Sequence, residues 1–548
     1  MARPTALHTH ASRYLTTYTD NAAADVKAQV QANPALTQVQ ADHAVLCASR
    51  LLKPGLFVLN NPVGTGKTPI ALTTAALLLN HVAPSKRIRR AIVIAPNSDV
   101  AKTWQERADQ AGLSVSRQRD SASNVIVLTA SQVGNRPFSN DPADQLVIVD
   151  EAHRGLHSDT KRRARVAHVA RGSRVLLVTA TPFQLTGTGL ESFLSVGGSL
   201  SRPQQKHVEQ LSKGMVAYLT AVHDAESETD QQVVLEEVVS RKRTTLAAIA
   251  TTARPTLDAL FMPPFPVHEV YGVPPDSQGR SPLPASPAWV DLDQWATAYH
   301  AARVLPAIWP DVEPGQSGIE DSDGQIRNSD SYMRMLSSSF AAWEGHQAVK
   351  RAESRDPKSV GDLVKAVTAG THPKIAATAE IAVVTLLKGS HVLIFCVYRD
   401  TQKELKTAIQ AALRANRRLR GRRVEAPTTH PEAEKYRKDY FGSDQKPAGV
   451  LIVRDNLSEA IDLDGGRPVV IHHDLFWSPV RWEQRMGRVV RASTGFQPAK
   501  DIVVPLLRTD SELRMWETLR RRLQLSAGVI TGLIPDHDSN NGEGSPAV

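Results

Sequence analysis

The sequence predicts an α/β protein with parallel sheets in two separate blocks and a largely helical stretch between them, and three observations lead there. Short β-rich runs alternate with helix-compatible segments from Leu56 to Thr181 and again across residues 371–510. The runs at 125–129, 145–149, 391–396, 449–453 and 468–472 are apolar at nearly every position, as strands buried on both faces of a parallel sheet must be. From about Thr186 to Gly370 that rhythm is lost. Helical segments there are broken by prolines over 263–266 and 274–287 and by an acidic, polar loop over 310–331, which is expected to stay mobile.

Within the first block, the run 56–59 stops at Asn60-Asn61-Pro62-Val63-Gly64-Thr65-Gly66-Lys67-Thr68-Pro69, after which helix-compatible sequence resumes. A strand, a glycine-rich loop ending Gly-Lys-Thr and a helix form a phosphate cradle, because backbone N–H groups and the positive end of the helix face the anion. Gly64, Thr65, Gly66, Lys67 and Thr68 are therefore the candidate ATP-binding residues, with Lys67 reaching the β/γ oxygens and the Thr68 hydroxyl binding Mg²⁺. The plainer alternative, a flexible Gly/Thr turn, does not require the flanking strand and helix. Asn61 stands where the general pattern has its first glycine, and asparagine is among the few other residues that tolerate a left-handed backbone. Pro69 falls just inside the helix, where a missing N–H costs little.

The run 145–149 leads into Asp150-Glu151-Ala152-His153, which puts two carboxylates at the carboxyl end of a strand, the edge where parallel sheets bind ligands. Two acids suit two jobs: Asp150 to hold Mg²⁺, and Glu151 to take the proton from a water attacking the γ-phosphate. The run 174–178 ends in Thr179-Ala180-Thr181-Pro182, a polar turn suited to sensing the γ-phosphate. Before the loop, Gln40 begins a helix and could both donate to and accept from an adenine edge, the alternative being a solvated helix glutamine.

Composition bounds the rest. The chain has 548 residues, enough for three or four domains, and a net charge of +9 that favours a polyanionic partner. Only Cys47 and Cys396 are present, without companion Cys/His spacing, so both are expected as small buried hydrophobes rather than as a disulfide or zinc site. Residues 1–35 carry no recognisable chemistry, Met1 to Thr17 lack a continuous apolar signal core, and no run approaches the length of a membrane span, so a cytoplasmic, nucleoid-associated protein with no membrane partner is expected.

Residues 61–68, 150–153 and 179–182, in this order, resemble motifs I, II and III of superfamily 2 helicases and translocases. The second block agrees: Leu393 to Arg399 resembles motif IV, Ser458 to Leu463 motif V, and Gln484-Arg485-Met486-Gly487-Arg488-Val489-Val490-Arg491 matches the Gln-x-x-Gly-Arg-x-x-Arg of motif VI. Thr179 to Leu185, Met335-Leu336-Ser337-Ser338-Ser339 and Phe476-Trp477-Ser478-Pro479 are similar to the Swi/Snf-type branch, especially bacterial RNA-polymerase-associated, RapA-like ATPases. The resemblance implies two RecA-like P-loop lobes, 36–185 carrying the ATP-binding DEAH box and 371–510 forming the second lobe. A helical insertion at 186–370, a C-terminal helix at 511–535 and a disordered tail at 536–548 complete the division.

It further implies that Arg488 and Arg491 act as arginine fingers beside the catalytic Lys67 and Glu151, so that hydrolysis needs closure of the two lobes. Thr179, Thr181, Ser458, Asp462 and Gln484 would couple nucleotide to strand. Thr129 and Arg399 would lie near the nucleic acid, and Trp104 near it or in its supporting core. The arginines between Arg414 and Arg423 are read as a solvated run or a phosphate contact. The expected protein is a nucleic-acid-stimulated, Mg²⁺-dependent ATPase that translocates on double-stranded DNA or remodels DNA-bound complexes. A strand-separating or RNA-directed helicase, and a nucleotide-gated scaffold on RNA polymerase or a defence complex, are the alternatives.

Overall fold

The computed structural model describes residues 36–531 apart from 82, 120–121, 135–137, 139–140, 154–155, 157–160, 181–189, 198–199, 229–231, 264–282, 285, 309–327, 438–446, 456–462, 464–465, 478 and 491–498. The N-terminal segment, most of the acidic loop and the C-terminal tail named above lie outside the described residues. The chain divides into two compact units, residues 1–266 with 521–548 and residues 267–520.

In the first unit the described elements run α1 (Gln38–Arg50), β1 (Gly55–Leu59), α2 (Lys67–Leu79), β2 (Arg90–Ala95), α3 (Ser98–Gln110), β3 (Val115–Ser116), β4 (Val125–Thr129), β5 (Gln145–Asp150), α4 (Lys161–Ala170), β6 (Arg174–Val178), α5 (Leu190–Leu194), α6 (Arg202–Glu228) and α7 (Gln232–Leu260). Its six strands form one sheet in the order β1-β6-β5-β2-β4-β3, with every pairing parallel. Alternation along β1 buries both faces: Phe57 and Leu59 join a core with Leu46, Ile70 and Trp104, while Val58 joins the opposite core with Val147, Val149 and Leu177.

That second core does not end with the sheet. Leu211 and Met215 of α6 and Leu246 and Leu257 of α7 belong to it. The two helices approach closely at Gly214, where an added Cβ would stand 2.9 Å from Ile249 Cδ1. After α7 the chain is tied back to the sheet by the Met262 N–H, which donates to the Val58 carbonyl at 2.8 Å.

The second unit holds β7 (Ala288–Val290), α8 (Ala296–Ile308), α9 (Asn328–Ser338), α10 (Phe340–Glu344), α11 (Gln347–Arg355), α12 (Pro357–Val367), α13 (Pro373–Leu387), β8 (Val392–Cys396), α14 (Arg399–Ala415), β9 (Val424–Glu425), α15 (His430–Tyr436), β10 (Val450–Arg454), β11 (Val469–His472), α16 (Pro479–Val489), β12 (Asp501–Val503) and β13 (Pro505–Leu507), followed by α17 (Asp510–Thr531). Five strands form a parallel sheet in the order β12-β11-β8-β10-β9, and β13 pairs with β7. Trp295, Tyr332, Trp343 and Val367 from the helical residues 295–367 share a core with Leu507.

The stretch 186–370, expected as one insertion, is thus divided. The apolar stripes of α6 and α7 are consumed by the first sheet, and those of α8 to α12 build a core of the second unit. The Met335–Ser339 segment is a packing junction: the Ser338 and Ser339 hydroxyls lie 2.7 and 2.9 Å from the Thr401 hydroxyl, and the Ser338 carbonyl lies 2.9 Å from His473 Nε2. Cys47 and Cys396 are buried and free. Among the described residues no helix is long and apolar enough to cross a membrane.

Candidate active site

Register decides what meets at the carboxyl edge of the first sheet. Leu59 pairs with Val178, and Val178 pairs with Asp150, so the loop after β1, the turn at Thr179 and the Asp150-Glu151 pair leave three adjacent strands at one level. Gly64 and Gly66 have φ of 86° and 83°, which explains why glycine is required at both. Gly66 starts α2 without a side-chain cap, leaving the first helical N–H groups to an anion. Lys67 Nζ donates to the Pro62 carbonyl at 3.0 Å, as does the Thr65 hydroxyl at 2.7 Å, so the loop is folded around its own lysine. The loop suits the β/γ-phosphates of a nucleotide, the Lys67 charge is near enough to act on the Asp150 carboxyl, and the Thr68 hydroxyl and Asp150 carboxylate are hard oxygen donors of the kind Mg²⁺ takes.

Two expectations about this loop need correction. Asn61 is not left-handed, since the only non-glycine residues with positive φ among the described residues are Glu151, Asp293 and Arg467. It holds its place through its side chain, whose amide lies 2.9 Å from His43 Nδ1; burial keeps that imidazole neutral by driving its pKa down to about 4. Nor does Gln40 offer its amide to an adenine edge or to solvent. It is 4% exposed, its Nε2 donates to the Thr65 carbonyl at 2.8 Å, and its Oε1 accepts the Thr37 N–H at 2.9 Å in a capping box. A Cβ on Gly66 would lie 2.3 Å from Gln40 Nε2. Helix α1 therefore grips the loop at two points, Asn61 and Thr65.

The acids are held just as closely. Asp150 Oδ1 accepts the Glu151 N–H at 2.9 Å, and Oδ2 accepts the Trp104 indole N–H at 2.7 Å. Burial, and then the adjacent Glu151 charge, push the Asp150 carboxyl up to about 6, against the pull of those two N–H groups and of Lys67. Glu151 sits at φ 46°, a backbone that costs a non-glycine residue about 1 kcal/mol, and the Ala152 N–H pinned to the Val178 carbonyl at 3.0 Å holds it there. His153 Nδ1 lies 3.3 Å from Glu151 Oε2 and 2.9 Å from the Thr179 hydroxyl, while the Thr179 N–H donates to the Leu59 carbonyl at 3.1 Å. Glu151, His153 and Thr179 are thereby one linked set. Beside them Asn60 is 5% exposed with no hydrogen-bond partner at its side-chain oxygen.

In the second unit, Gln484 and Arg488 are half-buried on α16, and the Arg488 carbonyl accepts the Leu463 N–H at 2.8 Å, which ties the motif VI helix to the motif V segment. Thr181, Ser458, Asp462 and Arg491 lie outside the described residues. The Thr129 hydroxyl, at the carboxyl end of β4, is taken up by Ser131 at 2.9 Å and Gln132 at 3.0 Å. Arg399 is exposed at the first position of α14. Arg414, Arg417, Arg418, Arg420 and Arg423 are exposed between the end of α14 and β9, at the amino edge of the second sheet, opposite the edge that carries motifs IV to VI.

Four contacts are not readable from the sequence. Trp104 is buried core, one of the two expectations for it, and it also bonds Asp150. His153 is the last residue of the motif II match, but nothing local signals its contacts with Glu151 and Thr179, and His43 gives no signal at all. Arg485 could have been found, because Trp482, Arg485, Met486 and Val489 follow helical spacing and form the buried face of α16. Arg485 Nε donates to Asp455 Oδ1 and Nη1 to the Asp474 carbonyl, both at 2.6 Å.

Two family models agree with this arrangement. The family described as type III restriction enzyme, res subunit, matches residues 18–184, and the helicase conserved C-terminal domain matches residues 374–493. No curated protein matches the sequence. Among solved structures, the Pyrococcus furiosus Hef helicase domain is similar at 15% identity and a TM-score of 0.44, over 87% of this chain and 97% of that one. With both helicase domains present in order, each enclosing the motifs described above, the chain carries the paired domains of a superfamily 2 helicase, an ATP-hydrolysing enzyme of the type that binds nucleic acid.

Proposed function

We propose that this protein is a nucleic-acid-stimulated ATPase of the Swi/Snf-type, RapA-like branch that converts hydrolysis into translocation on double-stranded DNA. The observation that carries the hydrolytic part is the convergence of the Lys67 loop, Asp150-Glu151 and Thr179 on the edge of three adjacent strands. The N–H groups from Gly64 to Thr68 and the Lys67 ammonium bind the β/γ-phosphates of ATP. Thr68 and Asp150 would hold Mg²⁺, which when bound would neutralise charge on the phosphoryl oxygens. Glu151 receives the proton of the attacking water, and His153 orients Glu151 while reporting its state to Thr179. Arg488 and Arg491 supply guanidiniums for the charge that spreads over the γ-phosphoryl group. Thr181, Ser458, Asp462 and Gln484 couple that step to the strand, with Thr129 and Arg399 near it.

The experiment is ATP turnover by the full chain without nucleic acid and with duplex DNA, single-stranded DNA or RNA, for the wild type and for Lys67→Ala, Glu151→Gln and Arg488→Ala. Duplex stimulation with all three variants at least 100-fold slower is expected, since each removes a group that acts at the transition state. Unimpaired variants overturn the site. Stimulation by single strands or RNA alone makes the protein a strand-directed helicase, and duplex-stimulated turnover without displacement of a triplex-forming strand makes it a nucleotide-gated scaffold.

A further inference from the structure

We propose that Trp104 is a positioning residue for the metal-holding carboxylate, setting Mg²⁺ affinity through its indole N–H. The inference rests on the reading of Asp150 given above. Trp104 is 1% exposed in the middle of α3, in the core that also holds Phe57, Leu59 and Ile148, and its Nε1 stands 2.7 Å from Asp150 Oδ2. The other oxygen, Oδ1, takes the Glu151 N–H at 2.9 Å. One N–H on each oxygen fixes the plane of the carboxylate, so its remaining lone pairs have a single direction in which to meet a cation or its bound water. The indole is a stiff lever for this purpose, because a buried ring with two side-chain torsions cannot follow the carboxylate if it swings.

Ordinary packing does not explain the contact. Another buried tryptophan shows what this protein does with an indole N–H when nothing further is asked of it: Trp295 gives its own to the Val367 carbonyl at 2.9 Å. Satisfying a donor therefore does not require an ionisable group, whereas Trp104 is aimed at an acid on the carboxyl edge where the phosphate loop ends. Partners of this kind, one bond removed from the metal, are worth about 10–100-fold in metal affinity or activity.

The test is binding of a fluorescent ADP analogue to the full chain, titrated with Mg²⁺ and repeated in EDTA, for the wild type and for Trp104→Phe, which keeps most of the ring but has no donor. The Mg²⁺ concentration for half-saturation should rise about 10-fold in the variant. Nucleotide affinity in EDTA should stay within about twofold, and Trp104→His, a smaller ring with an N–H, should recover part of the loss. A purely structural role would instead lower binding equally with and without Mg²⁺, and that result, or an unchanged Mg²⁺ titration, overturns the proposal. If Trp104→Phe does not fold, the ¹⁵N-indole resonances of the wild type carry the test: one of the eight must move when Mg²⁺ joins the ADP complex, and no movement refutes it. A wild type whose nucleotide affinity ignores Mg²⁺ sinks the ATPase reading and this inference together. A Mg²⁺-responsive wild type with an unaltered Trp104→Phe sinks the inference alone.

Discussion

Replacing Gln40 by Ala separates two jobs that a glutamine beside a nucleotide loop can do. In this structure both ends of its amide are committed to the protein, one to the Thr65 carbonyl at 2.8 Å and one to the Thr37 N–H at 2.9 Å. Deleting the amide removes two hydrogen bonds of about 1 kcal/mol each. Thr65 is fully buried, so its carbonyl is also left without a partner, whereas water can reach Thr37; together these give a loss of about 2–3 kcal/mol in the stability of the first unit. Urea unfolding followed by tryptophan fluorescence measures it. In turnover, a loosened loop weakens the hold on the phosphates, which every nucleoside triphosphate shares, so kcat/KM for ATP and for GTP should fall by the same factor. A variant that loses ATP turnover while keeping GTP turnover, at unchanged stability, would show that Gln40 reads the base and would refute the argument from its hydrogen bonds.

Other perturbations bear on the second unit and on acid stability. Lys374 and Glu512, 1% and 7% exposed, form a 2.6 Å ion pair joining α13 to α17; Glu512→Gln strands the ammonium and should cost about 3–5 kcal/mol in thermal unfolding, most of it recovered when Lys374→Met is added. Burial drives the pKa values of His43 and His473 down to about 4 and of His372 down to about 3. Each of these imidazoles is neutral in the fold but protonates below about 6.5 when unfolded, so the unfolded chain binds the extra proton and stability falls as pH drops from about 6.5 towards 4. The slope is about 1.4 kcal/mol per pH unit for each group, and there is no contribution above that window. His473→Gln, which can still meet Thr378 and Ser338, should flatten the acid limb of the second unit by one such increment; pH–stability curves parallel to the wild type would refute the assignment.

Much of the site was legible because its chemistry is local in the chain. The Gly-Lys-Thr loop announces its own geometry: glycines at φ 86° and 83° are needed wherever a backbone wraps an anion, so Gly64 and Gly66 could be placed without coordinates. Asp150 and Glu151 are equally readable, since the four apolar residues 146–149 followed by two acids read as a buried strand reaching its polar end. What the sequence hides are partners distant along the chain. The partner of Asn61, His43, lies 18 residues away on another element, and the bond from Gln40 to Thr65 spans 25 residues, so local pattern suggests backbone tolerance for the one and an adenine contact for the other. The stretch 186–370 is legible as helical, but a helical pattern does not say which core each part will join.

The chain by itself thus determined two parallel α/β blocks, the phosphate loop and the paired acids, because each follows from residue type at short spacing. Tertiary structure alone decided that α6 and α7 complete the core of the first sheet, that α1 grips the phosphate loop through Gln40 and His43, and that Trp104 bonds Asp150 across 46 residues. Those contacts depend on strand order and register, which bring together side chains that no local pattern relates.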